Sequence, residues 1–140
     1  MQNIRTAPQL LVRIFIRPLF PFFQWLVLSL GIVKAPKERQ QFLLGSLKKE
    51  LSISDAKQHL HTQGFFLNRI AFNDPGQTLS MRKLSLENPR WQYHVRIFED
   101  GEVRGHFERT PEDYPLRHLK ADGQIKKEED FAFFLKEILE

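Results

Sequence analysis

The sequence predicts an α+β fold: a four-stranded antiparallel meander with helices on one face, preceded by an apolar N-terminal helix. Three observations predict it. Four runs with strand character follow one another between residues 65 and 109, and consecutive strands joined by short connections pair antiparallel. Segments with helical periodicity flank those runs on both sides. Residues 10–33, LLVRIFIRPLFPFFQWLVLSLGIV, are the most apolar stretch of the chain.

A chain of 140 residues with 41% hydrophobic residues has the size and composition of one globular domain. That composition excludes a disordered tail, a collagen-like repeat and a disulfide-stapled miniprotein. The absence of cysteine excludes disulfides, thiolate catalysis and Cys-ligated zinc. The net charge of +4 is unevenly spread. Residues 1–40 hold Arg5, Arg13, Arg17, Lys34, Lys37 and Arg39 against Glu38 alone, whereas residues 41–140 hold 15 basic and 16 acidic residues. The basic character therefore belongs to the N-terminal segment, and net charge alone is no argument for nucleic-acid binding by the body. The chain divides into residues 1–37, an apolar and basic-flanked membrane-associating helix, and residues 38–140, a small α+β domain.

The uncharged part of the apolar stretch, Pro18 to Val33, has 16 residues. As a helix it reaches ~24 Å, short of a ~30 Å hydrocarbon core. It suits a helix lying in the lipid interface, or a borderline span kinked near Pro18–Pro21. Phe15, Phe20, Phe22, Phe23, Trp25, Leu26 and Leu30 are the expected lipid contacts. The run ends in Lys34-Ala35-Pro36 without a small-x-small site, which argues against a cleaved signal peptide. Lys34, Lys37, Arg39, Lys48 and Lys49 outnumber the three preceding arginines, which favours a cytoplasmic body.

In the body, Leu43, Leu44, Leu47 and Leu51 recur at helical spacing and predict a helix over Glu38–Leu51, with Gly45 as its weak point. Ser52 or Ser54 caps a second helix, Asp55–Gln63, which Gly64 ends. The strands are Phe65–Phe72, Thr78–Leu86, Trp91–Glu99 and Glu102–Arg109. The segments Asn73-Asp-Pro-Gly-Gln77 and Glu87-Asn-Pro-Arg90 between them are turns by composition. Lys126–Glu140 closes the chain as a helix: Glu128, Glu129 and Asp130 complement its N-terminal dipole, and Phe131, Phe134, Leu135 and Ile138 form its apolar stripe.

The last hairpin is read more sharply, because a slip of one residue exchanges the two faces of a strand. A two-residue turn at Asp100-Gly101 places Ile97 opposite Arg104 and mixes polar with apolar side chains. A three-residue loop, Glu99-Asp-Gly101 with Gly101 left-handed, pairs 97 with 103, 95 with 105 and 93 with 107. Trp91, Tyr93, Val95, Ile97, Val103, Gly105 and Phe107 then share the core face. On the opposite face His94 lies across from His106, and Arg96 across from Arg104. Like charges directly opposite one another are destabilising, so this face is expected to meet water or an anion.

His94, Arg96, Arg104 and His106 are accordingly the candidate binding residues. Two cross-strand imidazoles can also ligate a transition metal or act as acid and base. A metal would need a further ligand such as Glu108 or His118, and no ligand spacing compels one. No catalytic residue, metal or cofactor is assigned. There is no phosphate-cradling glycine loop, nucleophile elbow, zinc-protease motif or calcium loop. The sequence thus points to a non-enzymatic, membrane-associated small domain whose body binds a partner. Membrane lipid is the first expected partner and a protein the second; nucleic acid ranks lower, and self-association through residues 10–33 is the other outcome for so large an apolar surface. The alternative function is a small cytosolic nucleic-acid- or phosphate-binding protein that uses the Arg/His face of the 91–109 hairpin.

Overall fold

A computed structural model of the protein describes residues 19–32, 41–68, 73–111, 113 and 123–140. Phe15, His118, the division at residue 37 and the last four residues of the predicted 65–72 strand lie outside the described residues. The chain folds as α1 (Phe20–Ser29), β1 (Phe42–Ser46), α2 (Ile53–Thr62), β2 (Phe66–Leu67), β3 (Gln77–Leu84), β4 (Trp91–Phe98), β5 (Glu102–Arg109) and α3 (Glu128–Leu135). The architecture is α+β, with one five-stranded antiparallel sheet in the order β1-β5-β4-β3-β2.

The strand count is therefore five, not four, and the fifth strand comes from the segment expected to be helical. β2 to β5 form the meander, and β1 adds to the outer edge of β5. The leucine spacing at 43, 44, 47 and 51 fits a helix face, but local periodicity is a weak determinant beside tertiary pairing. As a strand, the segment satisfies the backbone of β5, which would otherwise be an open edge. A bulge between Leu43 and Gly45 resets the alternation. It lets Leu44 and Leu47 both pack on the core while Leu43 stays exposed. Gly105 makes room for this: a Cβ there would lie 2.7 Å from Leu44 Cδ1 and 2.8 Å from the His94 carbonyl oxygen.

α2 starts on a capping box, in which the Ser52 hydroxyl accepts from the Asp55 amide and the Asp55 carboxylate accepts from the Ser52 amide. It ends at Gly64, where Gly64 N–H bonds to the His61 carbonyl and Phe65 N–H to that of Leu60. α3 is shorter than the sequence suggests. After Leu135 the chain turns and Leu139 bridges to Leu47, with Lys48 N–H on the Ile138 carbonyl and Glu140 N–H on that of Ser46. This long-range pairing competes successfully with the last helical turn.

α2 and α3 cover one face of the sheet. Ala56, Leu60, Phe131 and Leu135 meet Met81, Val95, Ile97 and Val103 in one apolar core. Tyr93 packs edge-on against Phe131 and Phe134 and donates its hydroxyl to Asp130 at 2.6 Å. The register of β4 on β5 is that of the three-residue loop, with Ile97↔Val103, Val95↔Gly105 and Tyr93↔Phe107. Gly101 has the required positive φ of 85°.

α1 is a ten-residue helix with Pro21 in its first turn, where the missing N–H costs no helical bond. Val27 is buried, whereas Phe22, Phe23, Trp25, Leu26, Leu30 and Ile32 are exposed. Among the described residues, no helix is long and apolar enough to cross a membrane.

Candidate functional site

The β4–β5 register sets His94 opposite His106, Arg96 opposite Arg104 and Gln92 opposite Glu108 on the face away from the apolar core. Arg82 and Ser80 of β3 extend the same face, because they pair with His94 and Arg96. This face does not lie in water. Gln92, His94, Arg96 and His106 are each 2% exposed or less, and Glu108 is buried with them. A period-two alternation distinguishes two faces but cannot say whether the polar one is solvated. Here it is a buried polar network, which is stable only if its members are paired.

The pairing is supplied largely from outside the hairpin. Asp74, in the turn before β3, accepts from Arg96 Nη1 and from Gln41 Nε2, which precedes β1. Arg104 turns instead to its own strand and donates Nε to Glu102 Oε2 at 2.9 Å, at the exposed margin of the sheet. The two opposed guanidiniums thus each take a separate carboxylate, which removes the repulsion their register implies. A second chain runs from Arg82 Nη1 to Gln92 Oε1 at 3.1 Å, then from Gln92 Nε2 to Glu108 Oε1 at 3.1 Å.

The histidines meet at the centre, their rings edge to face with centroids 5.0 Å apart. Around His94 Nε2 stand Ser80 Oγ at 2.8 Å, Asn68 Nδ2 at 3.1 Å and Arg96 Nε at 3.5 Å. Because a guanidinium only donates, Nε2 is the accepting nitrogen of a neutral ring, whose proton then sits on Nδ1. Nδ1 faces Glu108 Oε1 at 3.8 Å. His106 Nε2 lies 3.2 Å from the same carboxylate oxygen and 3.3 Å from Gln124 Nε2. Neither Nδ1 has a hydrogen-bond partner among the described residues. Burial holds the His94 pKa well below the usual imidazole range; the Arg96 charge and His106 push the same way, while Glu108 pulls against them. Burial also lowers the Arg96 pKa, against the opposing pull of Asp74 and Glu108.

Of the sequence-predicted binding residues, the structure gathers His94, Arg96 and His106 into one buried cluster and leaves Arg104 at its margin. Glu108 joins the cluster through its register on the same face of β5. Gln92, opposite Glu108, joins it by the same alternation, whereas Asp74, Asn68, Ser80 and Gln124 carry no local signal of this role. Asp74 in particular sits in an Asn-Asp-Pro-Gly segment whose composition is fully accounted for by the turn. Of the expected lipid contacts, Phe22, Phe23, Trp25, Leu26 and Leu30 are exposed side chains of α1, and Phe20 opens that helix. Comparison of the chain with protein-family models, with curated proteins and with solved structures finds no match in any of the three.

Proposed function

We propose that this is a peripheral, non-enzymatic membrane-associated domain, with α1 lying in the lipid interface and the α+β body binding a partner from the cytoplasmic side. The observation that carries the reading is the exposure of large apolar side chains on α1: Phe22 63%, Trp25 61% and Leu30 62%. Such a concentration seldom stays bare in water. α1 itself is ~15 Å long, half the thickness of a hydrocarbon core, which favours a helix in the interface. Arg13, Arg17, Lys34 and Lys37 flank it in sequence and suit an anionic leaflet.

The alternative, a phosphate- or nucleic-acid-binding face on the hairpin, has less to rest on. Arg96 is buried against Asp74, and Arg104 is forked onto Glu102.

The test is vesicle flotation of the full chain beside a Phe22→Ser, Trp25→Ser, Leu30→Ser triple variant. At roughly 1 kcal/mol per side chain partly withdrawn from water, the triple change lowers partitioning about a hundred-fold. The full chain is expected to float with phosphatidylglycerol-containing vesicles and the variant to stay behind with an unchanged circular dichroism spectrum. Equal flotation of the two, or a full chain that remains unbound, overturns the proposal. In the second case the oligomeric state shows whether α1 is instead covered by another copy of the chain.

A further inference from the structure

We propose that His94, His106 and Glu108 form a binding site for a divalent first-row transition-metal ion of the zinc class. One ligand atom from each of the three lies within 4.8 Å of the others, and all three residues are buried. The two separations from Glu108 Oε1 are 3.2 Å to His106 Nε2 and 3.8 Å to His94 Nδ1. Neighbouring ligands of a tetrahedral ion with bonds of about 2.0–2.1 Å stand ~3.3 Å apart, so a closing of the three, at most ~1.5 Å across the widest pair, brings these atoms into its first coordination sphere. Among the described residues, the His94 Nδ1 that faces Glu108 has no hydrogen-bond partner, in a ring that is 1% exposed. An uncompensated nitrogen so deeply buried is costly unless something engages it.

The donor set selects the kind of ion. Two imidazoles and one carboxylate suit zinc, cobalt, nickel or ferrous iron, whereas calcium and magnesium demand oxygen ligands. The strands fix both rings, since the histidines are directly paired across β4 and β5. The groups around them also resemble the outer partners that orient metal ligands. Gln92 holds the Glu108 carboxylate, and Ser80 Oγ touches the far nitrogen of His94. Ligation through Nδ1 moves the His94 proton to Nε2, where the Ser80 oxygen at 2.8 Å accepts a hydrogen bond from it and Arg96 Nε, at 3.5 Å, gives up its contact in favour of Asp74. Arg96, the cation nearest to His94, is balanced by Asp74. Glu108 supplies the one carboxylate of the ligand set. Gln124, whose buried Oε1 has no partner among the described residues, brings an amide to the same edge beside His106.

The test uses the tag-free full chain, stripped with chelator and titrated with cobalt(II), then with zinc(II) as competitor. The expected result is saturation at one equivalent, with the visible bands of nitrogen- and oxygen-ligated cobalt, displacement by zinc, and a melting temperature that rises with zinc concentration. His106→Gln or Glu108→Gln should weaken binding at least ~10-fold and Ser80→Ala about 10-fold. A His61→Gln, His118→Gln double variant should bind as the parent chain does. Absence of saturable binding, or binding that follows His61 and His118 instead, overturns the proposal. If the site variants fail to fold, ring nitrogen resonances of the unaltered chain decide: zinc must shift those of both His94 and His106, and unmoved signals overturn the site.

Discussion

The most demanding claim about stability concerns the Asp74–Arg96 pair. Arg96 is 2% exposed and the Asp74 side chain 9%, so water compensates little for either charge when the other is removed. Asp74→Asn keeps the shape of the side chain and deletes its charge, leaving a buried guanidinium among neutral groups and a more distant Glu108. Breaking a buried pair from one side costs about 3–5 kcal/mol, whereas replacing both members with apolar residues is often close to neutral. The asymmetry is the test. Asp74→Asn should lose about 3–5 kcal/mol, a drop of roughly 10 °C or more in melting temperature for a domain of this size. The double variant Asp74→Leu, Arg96→Met should recover at least ~2 kcal/mol of that loss. Urea unfolding at pH 7.5 in the presence of chelator, followed by tryptophan fluorescence and circular dichroism, measures both, with an unchanged m-value as the condition for comparing them. An Asp74→Asn variant within ~1 kcal/mol of the parent would mean that Arg96 does not depend on Asp74. A double variant worse than the single one would mean that Arg96 is held chiefly by other groups. Either result refutes the charge accounting given for this face.

Further outcomes follow from the same packing. The folded state resists protonating His94 because burial and the Arg96 charge depress its pKa, while the unfolded chain takes up that proton near pH 6.5. Stability should therefore fall as pH drops below about 6.5, at a limiting slope of ~1.4 kcal/mol per pH unit that persists until the folded ring itself protonates. Urea midpoints at pH 7.5, 6.5 and 5.5 should show that slope flattened in His94→Gln; an identical slope would assign the effect to other groups. Gly105→Ala places a Cβ 2.8 Å from the His94 carbonyl oxygen and 2.7 Å from Leu44 Cδ1, and it should cost about 1–3 kcal/mol. A neutral result in the same urea assay would show that β1 can shift to make room.

The parts of the fold that were legible in the sequence are those set by local chemistry. The loop at Glu99–Gly101 was readable because a slipped register would have put Arg104 opposite Ile97. The bounds of β5, Glu102–Arg109, were those of its strand-like run. α2 carried its own start and stop signals in Ser52, Asp55 and Gly64. β1 was not readable. Its leucines satisfy a helical face and a bulged strand equally well, and the choice is made by the open edge of β5 and by Leu139, 92 positions after Leu47 in the chain. The same limit applies to the candidate site. The sequence paired His94 with His106 and Arg96 with Arg104 correctly, because that is a matter of register. Whether the face is wet depends on Asp74, Asn68, Gln41 and Gln124, none of which is close in sequence to the residue it touches.

The buried face has a physical cost that apolar packing would avoid. Leucine and methionine at 94, 96, 106 and 108 would make a second apolar layer, and buried ion pairs seldom outcompete such packing in stability. What the polar layer contributes instead is connection. Through single side chains it ties the turn at Asp74, the segment at Gln41 and the segment at Gln124 to the two central strands. The two networks also meet, since Arg96 Nε approaches His94 while Glu108 faces both histidines. A change in charge at the histidines, by a proton or by a metal ion, is thereby felt at Arg96, and through it at Asp74 and Gln41. In an apolar layer no such path would exist. The arrangement therefore couples the chemical state of two central imidazoles to segments that are far apart along the chain, and the Asp74 and His94 variants together measure the strength of that coupling: if the two effects add, the networks are independent, and if they do not, the face acts as one unit.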